Sequence, residues 1–308
     1  MGEALQIIDV SPRDGLQGEC KQLPPDVRLE LIALLRRAGV SAIEIGSFVN
    51  PKRVPQMQGI DAICAALDLD SNVHYTALVP NFTGFERAAR TGLKHVRLAV
   101  LASESLNRAN FQQSVDDSLK QFERIAISAR AAGIAFGVII GAAFGCPFEG
   151  HVPRSRVMRI AKELVQMGAD EIMLADTTGM GIPDQVERIC AAFIENLDRT
   201  DPGCGIGVHL HDTRNTGYAN AYAAFRAGIR RFDTCLGGIG GCPFSPGALG
   251  NIATEDMVHM FNGMGVATGI RLKNLITASR WLSRQLEKPL PAMIGTAEPI
   301  YPEPVGRQ

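Results

Sequence analysis

Two histidines stand one residue apart in the apolar stretch GIGVHLHDT, residues 205–213. Val208 and Leu210 alternate with them, and this pattern predicts a β-strand, in which residues i and i+2 project to the same side. His209 and His211 are therefore predicted to face one space. A single histidine in such a strand is more often a core residue whose ring nitrogens bond to the backbone. Two on one face indicate a binding or catalytic site.

A recurring pattern along the chain predicts the elements that position these histidines. A helix-like run ends in a small or apolar residue and a glycine, and an apolar strand follows. Glycine adopts the left-handed conformation that closes a helix without steric cost. With three further apolar segments, the pattern predicts eight strands. The closing glycines are residues 39, 92, 133, 168 and 228, and the predicted helices include 26–38, 116–132, 153–167 and 183–197.

Eight alternating strand–helix units predict an α/β fold, a closed (β/α)8 TIM barrel. A doubly wound open sheet is the alternative, but no GxGxxG motif opens a helix after the first strand. No linker divides the chain, so residues 1–308 are expected to form a single catalytic domain. Within it, residues 270–290 are predicted to form an additional C-terminal helix and residues 291–308 a loosely held tail.

The composition of the chain argues against several classes of partner. Lys and Arg number 31 against 32 Asp and Glu, a formal net charge of -1, so neither nucleic acid nor an anionic membrane is an expected partner. No apolar run approaches the roughly 20 residues of a membrane span. Seven cysteines without a CxxC pair do not indicate a disulfide scaffold, and a reducing, cytoplasmic location is expected.

One carboxylate, two imidazoles and one amide oxygen at predicted strand ends make a candidate cation site. Catalytic groups of a (β/α)8 barrel lie at these ends. The proposed ligands are Asp14, His209, His211 and Asn251. This mixed set suits Mg2+ or Mn2+ better than structural Zn2+, although catalytic Zn2+ is an open alternative. Taken singly, Asp14 could form an Asx-turn in PRDG, and Asn251 could cap a helix.

Further polar residues follow the predicted strands, namely Arg13, Gln17, Glu44, Ser47 and Asp176. The segment LGGIGGCPFSPGALGN after strand 8 is too rich in glycine for a core element and too apolar for a disordered linker. It also lacks the Lys-Ser/Thr of a phosphate-binding P-loop. A loop that closes over a site and delivers Cys242, as nucleophile or as general acid/base, explains it better.

The chain resembles the hydroxymethylglutaryl-CoA lyase family, in order and over nearly its whole length. The wider group contains metallo-lyases and Claisen-type synthases on the same barrel, and the GGxGGCPF loop distinguishes the lyases from the synthases. The motifs that carry the resemblance are SPRDGLQGE, IEIGSFVNPKRVPQM, GCPFEG, ADTTGMG, HLHDT and GGIGGCPFSPGALGNIATED.

The resemblance implies roles for the candidate residues. Arg13 would polarise the substrate, and Cys242 would be the catalytic acid/base. The metal ligands would be the same four residues, Asp14, His209, His211 and Asn251. Glu44, Asp176 and His209 are further catalytic candidates, with His209 or Asp176 relaying the hydroxyl proton. Gln17 and Ser47 would join Arg13 in binding the substrate.

The implied reaction is the divalent-metal-dependent retro-Claisen cleavage of a 3-hydroxy-3-methylacyl-CoA. Hydroxymethylglutaryl-CoA, giving acetoacetate and acetyl-CoA in leucine degradation, ranks first. Citramalyl-CoA, giving pyruvate and acetyl-CoA, is the alternative, and a Claisen-type synthase is a further one. A non-enzymatic scaffold would require the polar cluster to be incidental. An acyl-CoA thioester is the expected partner, and a homodimer the expected assembly.

Three departures from the family pattern bear on the substrate. Cys20 stands where members carry Lys, Met173 where they carry Ser, and Arg214-Asn215-Thr216 where a small or aromatic residue and Gly are frequent. All three are expected near the substrate pocket and away from the bond that breaks. The reaction type is therefore better indicated than the substrate. Possible replacement partners for a substrate carboxylate are Arg53, Arg108 and Arg214.

Overall fold

Eight parallel strands form a closed barrel in the part of the chain that the computed structural model describes, residues 5–197, 203–241 and 250–297. The strands follow one another in chain order, and β1 closes the barrel by pairing with β8. The predicted (β/α)8 barrel is confirmed, and the open-sheet alternative is wrong. The strands are β1 (Gln6–Asp9), β2 (Ala42–Ser47), β3 (His74–Leu78), β4 (His95–Leu101), β5 (Ala135–Gly141), β6 (Glu171–Asp176), β7 (Gly205–Leu210) and β8 (Arg231–Thr234).

Helices alternate with the strands, and two of them follow β8. The second of these packs against the first helix of the chain, which confirms the additional C-terminal helix. No helix among the described residues is long and apolar enough to cross a membrane. The helices are α1 (Pro25–Ala38), α2 (Ile60–Ala66), α3 (Phe82–Ala88), α4 (Glu104–Phe111), α5 (Val115–Ala132), α6 (Arg154–Gln166), α7 (Pro183–Leu197), α8 (Gly217–Arg226), α9 (Thr254–Gly263) and α10 (Leu272–Leu286).

The two faces of strand β4 show how the barrel divides its side chains. Val96, Leu98 and Val100 are fully buried on the face toward the helices, and such burial stabilises the fold by about 1.5–3 kcal/mol per side chain. Arg97 lies on the opposite face, where it reaches Asp233 of β8 across the interior. The barrel therefore has an apolar layer between strands and helices and a charged interior.

Glycines in β7 make room for the large interior side chains. A Cβ at Gly205 would lie 2.0 Å from Nη1 of Arg231, and one at Gly207 would lie 2.5 Å from Sδ of Met173. Any side chain at these positions would collide with its neighbour. The glycines of GIGVHLH thus belong to the packing of the barrel interior.

The segment after α10 is attached to the barrel as far as the structure describes it. The Ala292 amide donates to the carbonyl of Gly237 at 3.0 Å. The amides of Met293 and Ile294 donate to the Asp256 carboxylate at 2.9 and 2.8 Å. Hydrogen bonds thus hold residues 292–294 to the barrel, and the loosely held tail over 291–308 stays a prediction. Residues 298–308 lie outside the described part.

Two helix-closing glycines allow a controlled stability test. Gly39 and Gly133 both have a left-handed φ, at 98° and 66°. A Cβ at Gly39 would lie 2.8 Å from the carbonyl oxygen of Gly269, whereas one at Gly133 would meet nothing within 4 Å. Alanine in the left-handed region costs about 1–2 kcal/mol, and only Gly39→Ala adds a collision with backbone.

We expect Gly133→Ala to lower the free energy of unfolding by about 1 kcal/mol and Gly39→Ala to lower it by clearly more. Urea or thermal unfolding of the two variants beside the parent chain measures the difference. Equal losses in the two variants would show that the close approach of α1 to the segment before α10 is not tight.

Candidate active site

A tight turn after β1 places Arg13 and Asp14 at the rim of the barrel. Residues Ser11–Gly15 form one turn of π-helix. The amides of Arg13, Asp14 and Gly15 all converge on the carbonyl oxygen of Val10, at 3.1, 2.8 and 3.3 Å. The Asp14 carboxylate bonds to Arg13 and Asn251. The motif PRDG thus positions a carboxylate toward other strand ends, and not toward its own turn.

The two histidines of β7 and its end converge on this carboxylate. Nε2 of His209 and Nε2 of His211 lie 3.1 Å apart. They lie 3.7 and 3.8 Å from Oδ2 of Asp14. Among the described residues, these three form the group of His, Cys, Asp and Glu side chains that could hold a metal ion. The predicted convergence of both imidazoles on one space agrees with this geometry.

Backbone pairing brings Asn251 to the same place. The segment after the glycine loop runs beside β7, with the Ile252 amide donating to the carbonyl of Leu210 at 3.1 Å. Asn251 forms a β-bridge with His211, and its Nδ2 donates to Oδ2 of Asp14 at 2.8 Å. The residue that caps α9 is Ala253. The helix-cap alternative for Asn251 is therefore wrong.

The donor atoms of this cluster fit a divalent cation. Oδ1 of Asn251 is buried and has no hydrogen-bond partner in the described part of the chain. A buried polar atom without a partner costs about 1–3 kcal/mol, and a bound cation would satisfy it. Carboxylate, amide oxygen and imidazole nitrogen together suit Mg2+ or Mn2+.

The electrostatics of the cluster favour ligands in the unprotonated state. Burial and the neighbouring His209 lower the pKa of His211 to about 4, so the His211 ring is neutral near pH 7. Burial alone would raise the pKa of Asp14, but the charge of Arg13 and the two imidazoles hold it below its usual value. A negative carboxylate and a neutral imidazole are the forms that bind metal ions.

Arg13 lies buried between two carboxylates. Its Nε donates to Oε2 of Glu44 and its Nη1 to Oδ1 of Asp14, each at 2.5 Å. Neither contact uses Nη2, and Arg13 also lines the adjoining cavity. Glu44 is fully buried behind Arg13. The structure thus brings Glu44 to the site as the partner that fixes the guanidinium.

The structure does not bring Asp176 into the cluster. Both carboxylate oxygens accept backbone hydrogen bonds from the turn after β6, from the amide of Met180 at 2.8 Å and that of Gly181 at 2.9 Å. Ala175 faces the cavity, so strand alternation directs Asp176 to the other face. In this position Asp176 organises the β6–α7 turn.

A cavity of about 620 Å³ opens beside the cluster at the carboxyl ends of the strands. Its polar end contains Arg13, Asp14, His209 and His211. Gln17 and Ser47, the predicted substrate-binding residues, also line it. The wall across the barrel is formed by Leu78, Ala99, Ile139 and Ala175.

Of the three arginines considered as carboxylate partners, only Arg53 lines this cavity. Arg108 pairs with Glu104 on the surface of α4 at 2.8 Å. Nη1 of Arg214 donates to the carbonyls of Thr178 and Gly179 at 2.7 and 2.9 Å. The backbone of the β6–α7 turn thus occupies Arg214.

None of the three sequence departures lies in the described cavity lining. Cys20 is exposed. Met173 is fully buried in β6, two residues before Ala175, with its thioether over Gly207. Met173 thus packs in a deeper layer of the barrel interior than Ala175, and the nearness of these departures to the substrate stays a prediction.

Cys242 lies outside the described residues. The residue before it, Gly241, lines the cavity. Gly240, at φ 101°, leaves room for the site: a Cβ there would lie 2.7 Å from Nδ2 of Asn251. Glu255 accepts hydrogen bonds from the Gly237 amide at 2.9 and 3.1 Å. The glycine-rich stretch is therefore anchored up to the rim of the cavity.

Sequence reasoning missed one residue that contacts the cluster. Oδ2 of Asp233 lies 3.1 Å from Nδ1 of His209, at the ring nitrogen away from the other ligands. Burial alone would raise the pKa of Asp233, but Arg97 and the His209 contact lower it. An Asp within the apolar strand RRFDTCL was the available signal. A buried charged residue in a strand requires a partner.

Comparisons with known proteins agree with this fold. The HMGL-like family model matches residues 4–282. An (R)-citramalyl-CoA lyase of Chloroflexus aurantiacus is 55% identical over 98% of each chain. A hydroxymethylglutaryl-CoA lyase of Pseudomonas mevalonii is 40% identical over 92% of this chain and 93% of its own. The structure of a hydroxymethylglutaryl-CoA lyase from Acinetobacter baumannii, with coenzyme A and 3-methylmalate, superposes with a TM-score of 0.91 at 37% identity and covers 98% of each chain.

These relatives identify the protein as a carbon–carbon lyase. More narrowly, the chain belongs to the HMGL-like family.

The cation site predicts a metal-dependent gain in thermal stability. A ligand at 100 times its Kd stabilises the native state by about 2.7 kcal/mol, which corresponds to a rise in Tm of roughly 4 °C for a chain of this size. We expect Mn2+ or Mg2+ to raise the Tm of the chelator-treated protein. Asp14→Ala and His211→Ala should abolish most of that rise, because each removes a ligand.

His259→Ala provides the matched control, because this histidine is exposed on α9. It should respond to metal as the parent chain does. Differential scanning calorimetry with and without the cation gives the values. An unchanged response in His211→Ala would contradict the ligand assignment, and no response in the parent chain would contradict the site itself.

Proposed function

We propose that this protein cleaves (R)-citramalyl-CoA to pyruvate and acetyl-CoA with the help of a divalent cation. One observation carries the choice of substrate. The citramalyl-CoA lyase relative is 55% identical over 98% of both chains, whereas the hydroxymethylglutaryl-CoA lyase relatives are 35–40% identical. The comparisons thus favour citramalyl-CoA over hydroxymethylglutaryl-CoA, which the sequence analysis ranked first. The role in leucine degradation depended on hydroxymethylglutaryl-CoA and is not proposed.

The distribution of polar groups in the cavity supports the shorter substrate. Citramalyl-CoA carries its hydroxyl and its free carboxylate on one carbon, so both would meet the polar end near Arg13 and the cation ligands. The carboxylate of hydroxymethylglutaryl-CoA stands one methylene farther from these groups. The 3-methylmalate of the A. baumannii structure is likewise a 2-hydroxy acid.

Asp14, His209, His211 and the amide oxygen of Asn251 would hold the cation, Mg2+ or Mn2+. Such an ion lowers the pKa of the substrate hydroxyl and orients it. The chain contributes the alignment of the ligands. Asn251 donates to Asp14, and Arg13 bonds the other oxygen of the same carboxylate. Both contacts fix the Asp14 carboxylate among the other proposed ligands.

Arg13 would stabilise negative charge that develops on the substrate oxygen during cleavage. Glu44 and Asp14 hold two sides of its guanidinium and orient the group toward the cavity. A planar guanidinium fixed in this way costs no reorganisation when the charge appears. The buried pair Arg13–Glu44 thus serves orientation.

The hydroxyl proton has to be accepted before the carbon–carbon bond breaks. Of the two residues that sequence reasoning offers, only His209 lines the cavity. Its partner Asp233 would stabilise the positive charge on the ring. In this proposal Nε2 accepts the proton. Because Nε2 has one lone pair, it cannot bind the cation and accept the proton at the same time.

The departing fragment is the enolate of acetyl-CoA, which needs a proton on carbon. Cys242 is proposed as the donor, from the glycine-rich segment whose Gly241 lines the cavity. The bond between the hydroxyl-bearing carbon and the acetyl methylene breaks. Its electron pair goes to the enolate, the hydroxyl carbon becomes the ketone of pyruvate, and the thiol proton completes acetyl-CoA. A homodimer and a cytoplasmic location remain predictions.

Substrate choice is tested by kinetics on both thioesters. We expect kcat/KM for (R)-citramalyl-CoA to exceed that for hydroxymethylglutaryl-CoA by about 100-fold, or roughly 2.7 kcal/mol in transition-state binding. The physical reason is that the longer carboxylate would stand one methylene farther from Arg13 and the cation ligands. A preference for hydroxymethylglutaryl-CoA would overturn the substrate while leaving the lyase class intact.

Cys242→Ala should reduce turnover by about 10²–10⁴-fold, the usual contribution of a positioned acid/base. The Tm should stay unchanged if the thiol serves chemistry alone. Cys20→Ala is the matched control, because Cys20 is exposed and does not line the cavity, and it should keep full activity. Near-normal turnover in Cys242→Ala would show that another group donates the proton.

A further inference from the structure

A buried guanidinium in the barrel interior lies two contacts away from the candidate cation site. Arg97 of β4 is 1% exposed, among the most buried large side chains described. Its Nη1 donates to both oxygens of Asp233 at 3.0 and 3.1 Å. Its Nε and Nη2 both lie close to Oε1 of Glu171, at 2.9 and 2.7 Å. Arg97 therefore joins a carboxylate of β8 to one of β6 across the interior.

Asp233 passes this contact on to the cation site. Its Oδ2 is shared, with Nη1 of Arg97 on one side and Nδ1 of His209 on the other. An Nδ1–H donated to this carboxylate leaves Nε2 of His209 with a free lone pair. Nε2 is the atom that lies 3.1 Å from Nε2 of His211 and 3.7 Å from Oδ2 of Asp14. The carboxylate thus selects the ring nitrogen that faces the ligand cluster.

Gly137 leaves room for the carboxylate of Glu171, which holds one side of Arg97. A Cβ at Gly137, on the neighbouring strand β5, would lie 3.0 Å from both Cβ and Oε1 of Glu171 and 3.3 Å from His95. A larger residue at this position would displace the carboxylate that holds the far side of Arg97. A buried charge costs several kcal/mol unless it is paired, so an interior with this many ions requires a precise arrangement of partners.

We propose that Arg97 is a positioning residue for the metal centre: by holding both oxygens of Asp233, it fixes the carboxylate that orients His209 toward the cation. The guanidinium reaches no ligand directly and acts through Asp233. The inference rests on the proposed cation site. Arg97 contacts Asp233, and Asp233 contacts His209. Loss of Arg97 would therefore let the His209 ring depart from its orientation toward the cation.

A purely structural role makes a different forecast. If Arg97 served only to neutralise buried acids, any disturbance of its network would act on folding stability and leave the affinity for metal unchanged in the folded protein. Glu171→Gln removes a buried negative charge next to the Arg97 guanidinium. It does not change the residues that form the Arg97–Asp233 and Asp233–His209 contacts. It is therefore the matched control.

The test is the Kd of the purified, chelator-treated protein for Mn2+, measured by electron paramagnetic resonance of free Mn2+ and needing no substrate. We expect Arg97→Lys to raise the Kd about 10-fold and Asp233→Asn by about 10–100-fold, the range for partners of metal-bound histidines. Glu171→Gln should stay near the parent value. Because Arg97 acts through Asp233, the double variant Arg97→Lys/Asp233→Asn should bind no more weakly than Asp233→Asn alone.

A folded Arg97→Lys protein with parent-like affinity would overturn the proposal, and so would additive effects in the double variant. If Arg97→Lys does not fold, Arg97→Gln/Glu171→Gln removes one positive and one negative charge together and is compared with Glu171→Gln. Equal affinities in that pair would also overturn it. Failure of the parent chain itself to bind Mn2+ would contradict the cation site, which separates the two claims.

Discussion

Two buried guanidinium groups hold together the charged interior of this barrel. Arg13 binds Glu44 and Asp14 at the rim, and Arg97 binds Asp233 and Glu171 below it. Burial alone would raise the pKa of Asp14, Glu44 and Asp233, and the charges of the two guanidinium groups oppose that rise. The packing, the geometry of the ligand cluster and the orientation of His209 all follow from this pairing.

The interior pairing links stability to function in a specific way. A buried ion pair is weak evidence for stability, since its desolvation cost rivals its attraction. Here the pairs hold side chains at fixed orientations around a cavity, which is the condition for binding a charged substrate without rearrangement. Glycines of β5 and β7 contribute to the same arrangement, because the absence of a side chain there leaves room for Glu171, Met173 and Arg231.

Much of the fold could be predicted from the sequence because local patterns encode it. The closing glycines all adopt the left-handed conformation that the repeated phrase predicts, and the four predicted helices begin and end within one residue of their observed bounds. The convergence of the candidate cation ligands could also be predicted, since His209 and His211 share a strand face. Asp14 and Asn251 follow the ends of their strands, where a barrel gathers its polar groups.

The remaining features depend on contacts that no local pattern records. β6 is buried on both faces, so its sequence does not show which side Asp176 takes, and its carboxylate serves the following turn. Arg97 and Asp233 are 136 residues apart, and only closure of the barrel brings them together. The depth of Met173 likewise depends on the glycine opposite it in β7.

The central claim is that the ends of β1 and β7, with the segment after β8, form one divalent-cation site. Anomalous diffraction from crystals grown with Mn2+ tests it most directly. The account predicts one strong peak at a coordination distance of about 2 Å from Asp14, His209, His211 and the amide oxygen of Asn251. A well-ordered site without a peak at saturating Mn2+, or a peak bound by other residues, would contradict it.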